Sequence, residues 1–545
     1  MLKSLDFRQL FCYNNGMEHI TTFDTDGTEM VTLPRAEYDA LKAGYTELNK
    51  QLDYLMEQLR LSKKKIYGAS SEKTSEEVME QLSLLFNEAE VYAAKEEADM
   101  TTVAAHTRRK KSASVVETLP DDVRVEVVEH DLPETEQICP ECGTRMERIG
   151  QEVRRTLVLK PAEAYIREDV FYTYACKRCN AEDIETPVVK AEKIPTVLPG
   201  SYASPEAIAH IMTQKFVMGS PLYRQEKEWN RAGIMLSRQT MSNWILQAAE
   251  LWLKPVYDHL HHLLIQRDIL HADETTLQVL KEPGKTSQSR SYMWLYRTGN
   301  DAEHPIILYD YRPDRKPVNA ENFLEGFSGW LHADGYQGYH ALPENIVVVG
   351  CWAHLRRKFD EAVKSLSKEN QKNTAALQGQ AFCNKLFSLE KEFSELKPEK
   401  RYEERLKQSK PVTDALLAWA DSIDAAPKSR LGIALTYLHN QWPYLIRFLE
   451  DGRLELSNNL AERSIKPFAV DRKNFLFANT PRGAQGSAII FSLIETAKAN
   501  NLDPYRYLVW LMTQAPVLSA KSENWPPLLT PDMAPLSCCI PVSQS

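Results

Sequence analysis

Between Tyr38 and Ile66 the apolar positions fall at Tyr38, Leu41, Tyr45, Leu48, Leu52, Leu55, Leu59 and Ile66. The steps alternate between three and four, with Ser62 standing where one more apolar residue is due, and that is a heptad seam. A buried leucine contributes ~1.5–3 kcal/mol, and a lone helix cannot bury its own seam, so the segment predicts pairing with another chain. Docking on the same protein is the alternative. From residue 119 to 190 the period shortens: Val123 to Val128 and Val153 to Tyr174 alternate β-branched and aromatic positions, predicting short strands. After Pro199-Gly200 the pattern turns helical, opening at Ser204-Pro205-Glu206 and running to Trp252. Strand-like runs return at 268–279, 291–297, 305–311, 329–335 and 345–351. Residues 355–450 read as helical, and a last helical block runs from Leu456 through a glycine-bearing turn at Arg482-Gly483-Ala484-Gln485-Gly486 to Asn500. The Pro- and Ser-rich tail after Pro516 is expected to be loose.

The length of 545 residues implies several domains. A net charge of −9, with 26% charged and 43% hydrophobic residues, is an ordinary globular composition and excludes a uniformly basic nucleic-acid coat. The charge is uneven, however. Nine acidic residues and two lysines lie between Glu72 and Asp99, so the remaining chain is nearly neutral and local basic clusters can still hold phosphate. Arg108-Arg109-Lys110-Lys111 closes this mixed-charge linker. No apolar run approaches the ~18 residues of a membrane span, and the N-terminus lacks a signal-peptide core, so a cytoplasmic protein is expected.

Nine cysteines in so long a chain do not make a disulfide framework. Four form two C-x-x-C pairs, Cys139/Cys142 and Cys176/Cys179, separated by 33 residues, and two such pairs supply the thiolates of a tetrahedral structural zinc. A redox role is the rival reading. Cys12, Cys351, Cys383, Cys538 and Cys539 read as ordinary or tail thiols.

Pro221 to Trp229, a turn at Ala232-Gly233-Ile234, and a second helix capped by Ser237 read as a helix-turn-helix. Arg238, Gln239, Ser242 and Asn243, early in the second helix, are types that touch base edges or phosphates. An ordinary helical hairpin with a polar face is the alternative.

The sharpest signal is a repeated tetrapeptide. Leu270-His271-Ala272-Asp273 and Leu331-His332-Ala333-Asp334 each end a strand-like run, and parallel neighbours in equivalent register would bring both aspartates to the carboxyl edge of a sheet. Glu274 faces away from Asp273, so only one of that pair can serve. A third acid, Glu462, lies one turn into a helix capped by Ser457 or Asn458. Three carboxylates within ~4 Å repel by ~4 kcal/mol per pair at an effective dielectric of ~20, so they call for cations. Magnesium or manganese suits oxygen ligands, and two such ions suit phosphoryl transfer. Basic residues flank the acids: His354, Arg356 and Arg357 in Trp352 to Lys358, then Arg463, Lys466, Arg472, Lys473 and Arg482. Trp419 and Trp442 read as core residues, with stacking on an extruded base as the alternative.

These blocks, His271-Ala-Asp273-Glu-Thr, Asp334-Gly-Tyr-Gln-Gly-Tyr339, Cys351-Trp-Ala-His354-Leu-Arg-Arg-Lys-Phe359 and Asn458-Asn-Leu-Ala-Glu462-Arg-Ser-Ile-Lys-Pro467, followed by Arg472-Lys-Asn474, resemble in order the signature of the insertion sequence 66 family of bacterial DDE transposases. The resemblance runs from about Val31 to Gln514. It implies a multidomain α/β protein whose RNase H-like catalytic domain is interrupted by an all-helical insertion, with Asp273, Asp334 and Glu462 as the catalytic acids. The expected organisation is an unassigned flank at 1–30, a leucine-zipper-like coiled coil at 31–68, a charged linker at 69–118 and a zinc-binding module at 119–190. The helix-turn-helix follows at 200–252, the catalytic domain at 255–360 and 451–515, the insertion at 361–450 and a flexible tail at 516–545. Implied partners are double-stranded DNA, a second copy through residues 38–66, and accessory proteins of the same mobile element. A nuclease or resolvase that cuts without joining, and a zinc-containing DNA-binding regulator, are the alternatives.

Overall fold

The computed structural model describes residues 193–367 and 370–540, with short stretches at 21–23, 29–31, 165–175 and 188–191. The expected coiled coil, the charged linker and all four zinc cysteines lie outside the described residues. Two short antiparallel hairpins come first, β1 (Thr21–Phe23) with β2 (Glu29–Val31) and β3 (Thr173–Ala175) with β4 (Val188–Lys190). The second lies within the stretch read as strands.

Helix α1 (Pro205–Phe216) starts where the sequence signals it, the Ser204 side chain accepting a hydrogen bond from the Ala207 amide at 3.1 Å. Helices α2 (Leu222–Arg231) and α3 (Arg238–Ala248) follow, the second capped by Ser237, which accepts from the Thr240 amide. On α3, Met241, Trp244, Ile245 and Ala248 are buried, which is the i, i+3, i+4, i+7 stripe of an amphipathic helix. Its other face stays open. A π-helical turn, Ala249–Leu253, leads into α4 (Lys254–Ile265).

A five-stranded mixed sheet follows: β5 (Ile269–Gln278), β6 (Arg290–Thr298), β7 (Ile307–Arg312), β8 (Gly329–His332) and β9 (Ile346–Val349), in the order β7-β6-β5-β8-β9. The first three form an antiparallel meander, while β8 and β9 run parallel to β5. Parallel return needs crossovers, and α5 (Pro317–Phe323) and α6 (Gln337–His340) lie within them. After β9 the chain is helical: α7 (Trp352–Ser365), α8 (Ala375–Glu392), α9 (Pro398–Glu404), α10 (Lys410–Ser422) and α11 (Arg430–Leu445). These helices bury a core of their own around Trp352, Phe359, Leu386, Leu416, Leu438 and Phe448. Trp442 lies 6.3 Å from Trp352 and Trp419 lies 6.0 Å from Phe359, so both belong to this packing.

The chain then returns to the sheet with α12 (Asn459–Phe475), α13 (Pro481–Ala499) and α14 (Pro504–Ser519). Residues Ala488 to Ala497 of α13 are all buried, as expected of a helix apolar on every side. Helix α13 also covers the free edge of β7. Ser492 Oγ accepts from the Tyr309 amide at 2.7 Å, and Thr496 Oγ1 accepts from the Ile307 amide and donates to its carbonyl. An otherwise unpaired strand edge is thereby satisfied.

Two expectations are corrected. The glycine-bearing turn at 482–486 is the opening of α13, capped by Thr480, and Gly486 faces Leu246 of α3 so closely that a Cβ would lie 2.5 Å from its Cδ2. Glycine here serves close helix packing. The tail is not loose as far as residue 540: Trp525, Leu529 and Cys538 are buried, Tyr507 donates to the Leu529 carbonyl, and Cys539 bridges to Leu502. Apolar residues scattered among prolines carry no period, yet they pack on α14 and Trp252. No described helix is long and apolar enough to cross a membrane.

Candidate active site

The parallel pairing of β5 with β8 aligns Ile269 with Trp330, Leu270 with Leu331 and His271 with His332. The first two residues of the tetrapeptides are therefore paired; Asp334 follows two residues beyond His332, past the end of β8, whereas Asp273, expected at a strand end, lies in the middle of the longer β5. Asp273 Oδ1 accepts from the Glu274 amide at 2.8 Å, and Asp334 Oδ1 from the Tyr336 amide at 2.9 Å. Burial, with the negative charges of Glu274, Asp334 and Glu462 added, pushes the Asp273 carboxyl well above its usual range. The Asp273 carboxyl thus senses the charges of both other acids named from the sequence.

Glu462 arrives on the first turn of α12 and is 7% exposed. Its partners come from α7: Arg357 Nη2 lies 3.3 Å from Oε2, and His354 Nδ1 lies 3.5 Å from Oε1. His354 and Arg357, three residues apart, share one face of that helix. Burial lowers the His354 pKa, opposed by the Glu462 charge. Cys351, the residue before α7, is buried beside them, and its thiol is pushed up to about 12 by burial. The Cys351, His354 and Glu462 ligand atoms all lie within 4.8 Å of one another.

Asn458 precedes α12 but does not cap it with its side chain. Instead its amide nitrogen donates to the Ala272 carbonyl at 2.7 Å, which leaves Oδ1 to accept from His271 Nδ1 at 3.0 Å. The Asn458 backbone amide donates to Cys351 Sγ at 3.1 Å. One buried residue thereby joins the strand of Asp273, the helix of Glu462 and the start of α7.

Glu274 is engaged elsewhere, as the strand alternation predicts. Arg315 donates to its Oε1, with the Nε contact at 2.7 Å, and the Tyr339 hydroxyl donates to its Oε2 at 2.6 Å. The Arg315 guanidinium lies 3.8 Å over the Tyr336 ring.

The basic and polar residues named from the sequence divide into groups. Arg357 and His354 join the acids. Arg356 is 2% exposed and donates through Nε to Asn384 at 2.6 Å, so it faces the helical core. Arg472 holds β5, donating to Thr275 Oγ1 at 3.2 Å and Thr276 Oγ1 at 2.8 Å. Arg482 pairs with Glu250 through two bonds of 2.6 and 2.7 Å. Lys466 and Lys473 are exposed on α12, and Arg463 is half-buried. On α3, Arg238, Gln239 and Asn243 are exposed, Ser242 is half-buried, and Gln239 donates to Asn243 at 3.0 Å. Sequence reasoning took Cys351 for an ordinary thiol and Asn458 for a cap, and gave the histidines of the repeat no role. The one available signal was the Cys-x-x-His spacing across a helix start.

Burial and the charges of Glu274, Asp334 and Glu462 raise the Asp273 carboxyl, and a divalent cation beside these hard carboxylate oxygens would relieve that charge.

The chain matches the family model described as Transposase IS66 family over residues 200–486. It also matches the zinc-finger binding domain of transposase IS66 at 136–180, Transposase C of IS166 homeodomain at 54–128 and the IS66 C-terminal element at 492–529. Among curated proteins it is similar to three from Sinorhizobium fredii (strain NBRC 101917 / NGR234). Uncharacterized protein y4jD is 31% identical over 68% of this chain and 73% of its own length. Uncharacterized protein y4hP is 28% identical over 84% of each chain, and uncharacterized protein y4qI is 28% identical over 90% of each. No solved structure matches the chain.

Proposed function

Since this chain belongs to the IS66 transposase family, we propose that it cuts DNA at the ends of its own mobile element and joins the freed 3′-hydroxyls to target DNA. The observation that carries this reading is the register of the repeat, which pairs Leu270 with Leu331 and His271 with His332 two residues before each aspartate, with the charges of Asp334 and Glu462 felt at Asp273. We read the mixed sheet as an RNase H-like core, interrupted by the helical insertion at 361–450.

In this reading Asp273, Asp334 and Glu462 hold two divalent cations, magnesium or manganese. Such a pair stabilises the attacking and leaving oxygens of an in-line phosphoryl transfer. Water is the first nucleophile and the DNA 3′-hydroxyl the second. Arg357 orients the Glu462 carboxylate, and Arg463, Lys466 and Lys473 hold phosphates along α12. The exposed face of α3, with Arg238, Gln239, Ser242 and Asn243, enters a groove of the element end. Cys139, Cys142, Cys176 and Cys179 hold a structural zinc, which the zinc-finger match at 136–180 supports. Residues 38–66 pair two copies, accessory proteins of the element assist, and the protein works on DNA in the cytoplasm.

The test is a reaction of purified protein with magnesium or manganese on labelled junction DNA, beside the Asp334→Asn and Glu462→Gln variants. Joined product from the unaltered protein alone, with DNA binding kept in both variants, supports the reading. Clean cleavage without joining points to a nuclease or resolvase, and joining by a pure Glu462→Gln variant removes Glu462 from the catalytic set.

A further inference from the structure

Cys351 and His354 stand three residues apart where α7 begins, so both side chains meet the same neighbour on the first turn. That neighbour is Glu462. Its side chain is only 9% exposed, and its Oε1 atom, like His354 Nδ1, is buried without a hydrogen-bond partner among the described residues. The two atoms face each other at 3.5 Å. That separation is long for an N–H···O bond, whose usual span is about 2.7–3.2 Å. It matches two ligands of one ion: with metal–nitrogen and metal–oxygen bonds of about 2.0–2.2 Å, tetrahedral neighbours stand roughly 3.4 Å apart. Cys351 Sγ completes the triangle, all three donors lying within 4.8 Å of one another. The Asn458 amide, donating to that sulfur at 3.1 Å, is placed as a partner for a thiolate.

We infer that Cys351, His354 and Glu462 bind a zinc-class divalent cation, in a site separate from the four-cysteine module and sharing only Glu462 with the carboxylate cluster. Sulfur, imidazole nitrogen and one carboxylate make a softer donor set than three carboxylates, which turns selectivity from magnesium toward zinc or cobalt. Three protein ligands also leave a fourth position open. The cysteine gives up its proton as the ion binds. Because Glu462 belongs to both sets, a soft ion here competes with hard ions for the same carboxylate, and micromolar zinc should oppose magnesium-dependent cleavage. The ion-binding inference does not rest on the strand-transfer reading, since it concerns the DNA-free protein.

The experiment is a cobalt titration of the metal-stripped full-length chain, followed by optical absorption, in parallel with Cys351→Ser and His354→Asn. Cobalt bound by the four-cysteine module is common to all three proteins and cancels in the difference spectra. The expected result is one more bound cobalt per chain in the unaltered protein, with a thiolate-to-cobalt charge-transfer band that Cys351→Ser removes. In His354→Asn, affinity for that ion should fall by more than the ~10–100-fold that loss of an outer-shell partner costs. Equal cobalt stoichiometry and superimposable spectra in the three proteins would overturn the inference. Should Cys351→Ser disturb the packing beneath α7, His354→Asn decides the matter alone, because its side chain is one-quarter exposed and tolerates replacement. Failure of the strand-transfer assay with the cobalt difference intact would bear on the proposed function and not on this site.

Discussion

His271 and His332 stack face to face, their ring centroids 4.3 Å apart and their planes 9° from parallel. Each is the second residue of a Leu-His-Ala-Asp repeat, and the stack is the side-chain expression of the β5–β8 register. Both rings are fully buried, which lowers His332 to about 3 and His271 well below its usual value, so both are neutral and can stack without charge repulsion. Their nitrogens reach the segment that delivers Glu462: His271 donates to Asn458, and His332 Nε2 accepts from the Glu455 amide at 3.3 Å. The register of the two strands and the position of the third acid are thus coupled.

Gly329 opens β8 with φ 154°, and a Cβ there would lie 2.3 Å from the Asp268 carbonyl oxygen. Gly329→Ala should push β8 away from β5 and misalign Asp334 against Asp273. A loss of about 2–4 kcal/mol in denaturant unfolding is expected from overpacking and strain together. Junction-DNA cleavage should fall with it, and a variant of unchanged stability would show that this approach does not hold the register.

Asn458→Ala leaves the His271 Nδ1–H and the Ala272 carbonyl without their buried partner. Unsatisfied buried groups cost ~1–3 kcal/mol each. The expected outcome is a drop of about 2–4 kcal/mol in stability and loss of strand transfer, with element-end binding through α3 retained by fluorescence anisotropy. Binding and catalysis falling together would place Asn458 in general folding instead.

Arg405 is 1% exposed and grips Glu390 through two bonds of 2.8 and 2.6 Å. It also donates to the carbonyls of Phe448, Asp451 and Leu454 at 2.8, 2.9 and 2.7 Å. These carbonyls belong to the segment that leads from the helical layer to α12. Arg405→Met strands Glu390 and three carbonyls, and should cost roughly 3–5 kcal/mol by chemical denaturation. Arg405→Lys should recover only part of this, because one ammonium cannot reproduce the guanidinium fork.

Glu455 is half-buried, and burial, partly offset by Arg297 and Arg463, pushes its carboxyl up to about 7. The folded protein therefore prefers Glu455 protonated. Its contribution to stability is fully present below the ordinary glutamate range and is lost as pH rises through about 7. Glu455→Gln should be more stable than the unaltered protein at pH 8, by about 1–3 kcal/mol, and close to it at pH 4.5. Thermal melts across that range check the sign, and an equal difference at both ends would rule out titration of this group.

Much of the site was legible before any fold was known. The duplicated Leu-His-Ala-Asp, the Ser204 and Ser237 caps, the amphipathic stripe of α3 and the acid one turn into α12 are local signals, each written within a few residues by backbone geometry. Where expectation failed, the deciding partner lay far along the chain. Arg356 looked like a phosphate ligand and is buried because Asn384 waits for it. Gly483 and Gly486 looked like a turn and instead lie in the opening of α13, which Thr480 caps and where Leu246 packs against Gly486. The tail beyond Pro516 carries no period, yet Trp525 finds Trp252. Asn458 looked like a cap and became a bridge, because His271 and Ala272, more than 180 residues earlier, present a donor and an acceptor at the right spacing. By itself the sequence determined most of the helices and strands, since period and capping act over one or two turns, and it singled out the three candidate acids. The tertiary structure alone decided which charges are buried, which cysteine lies beside Glu462 and which face of each helix stays exposed, because burial depends on what packs above a residue and not on its neighbours in the chain.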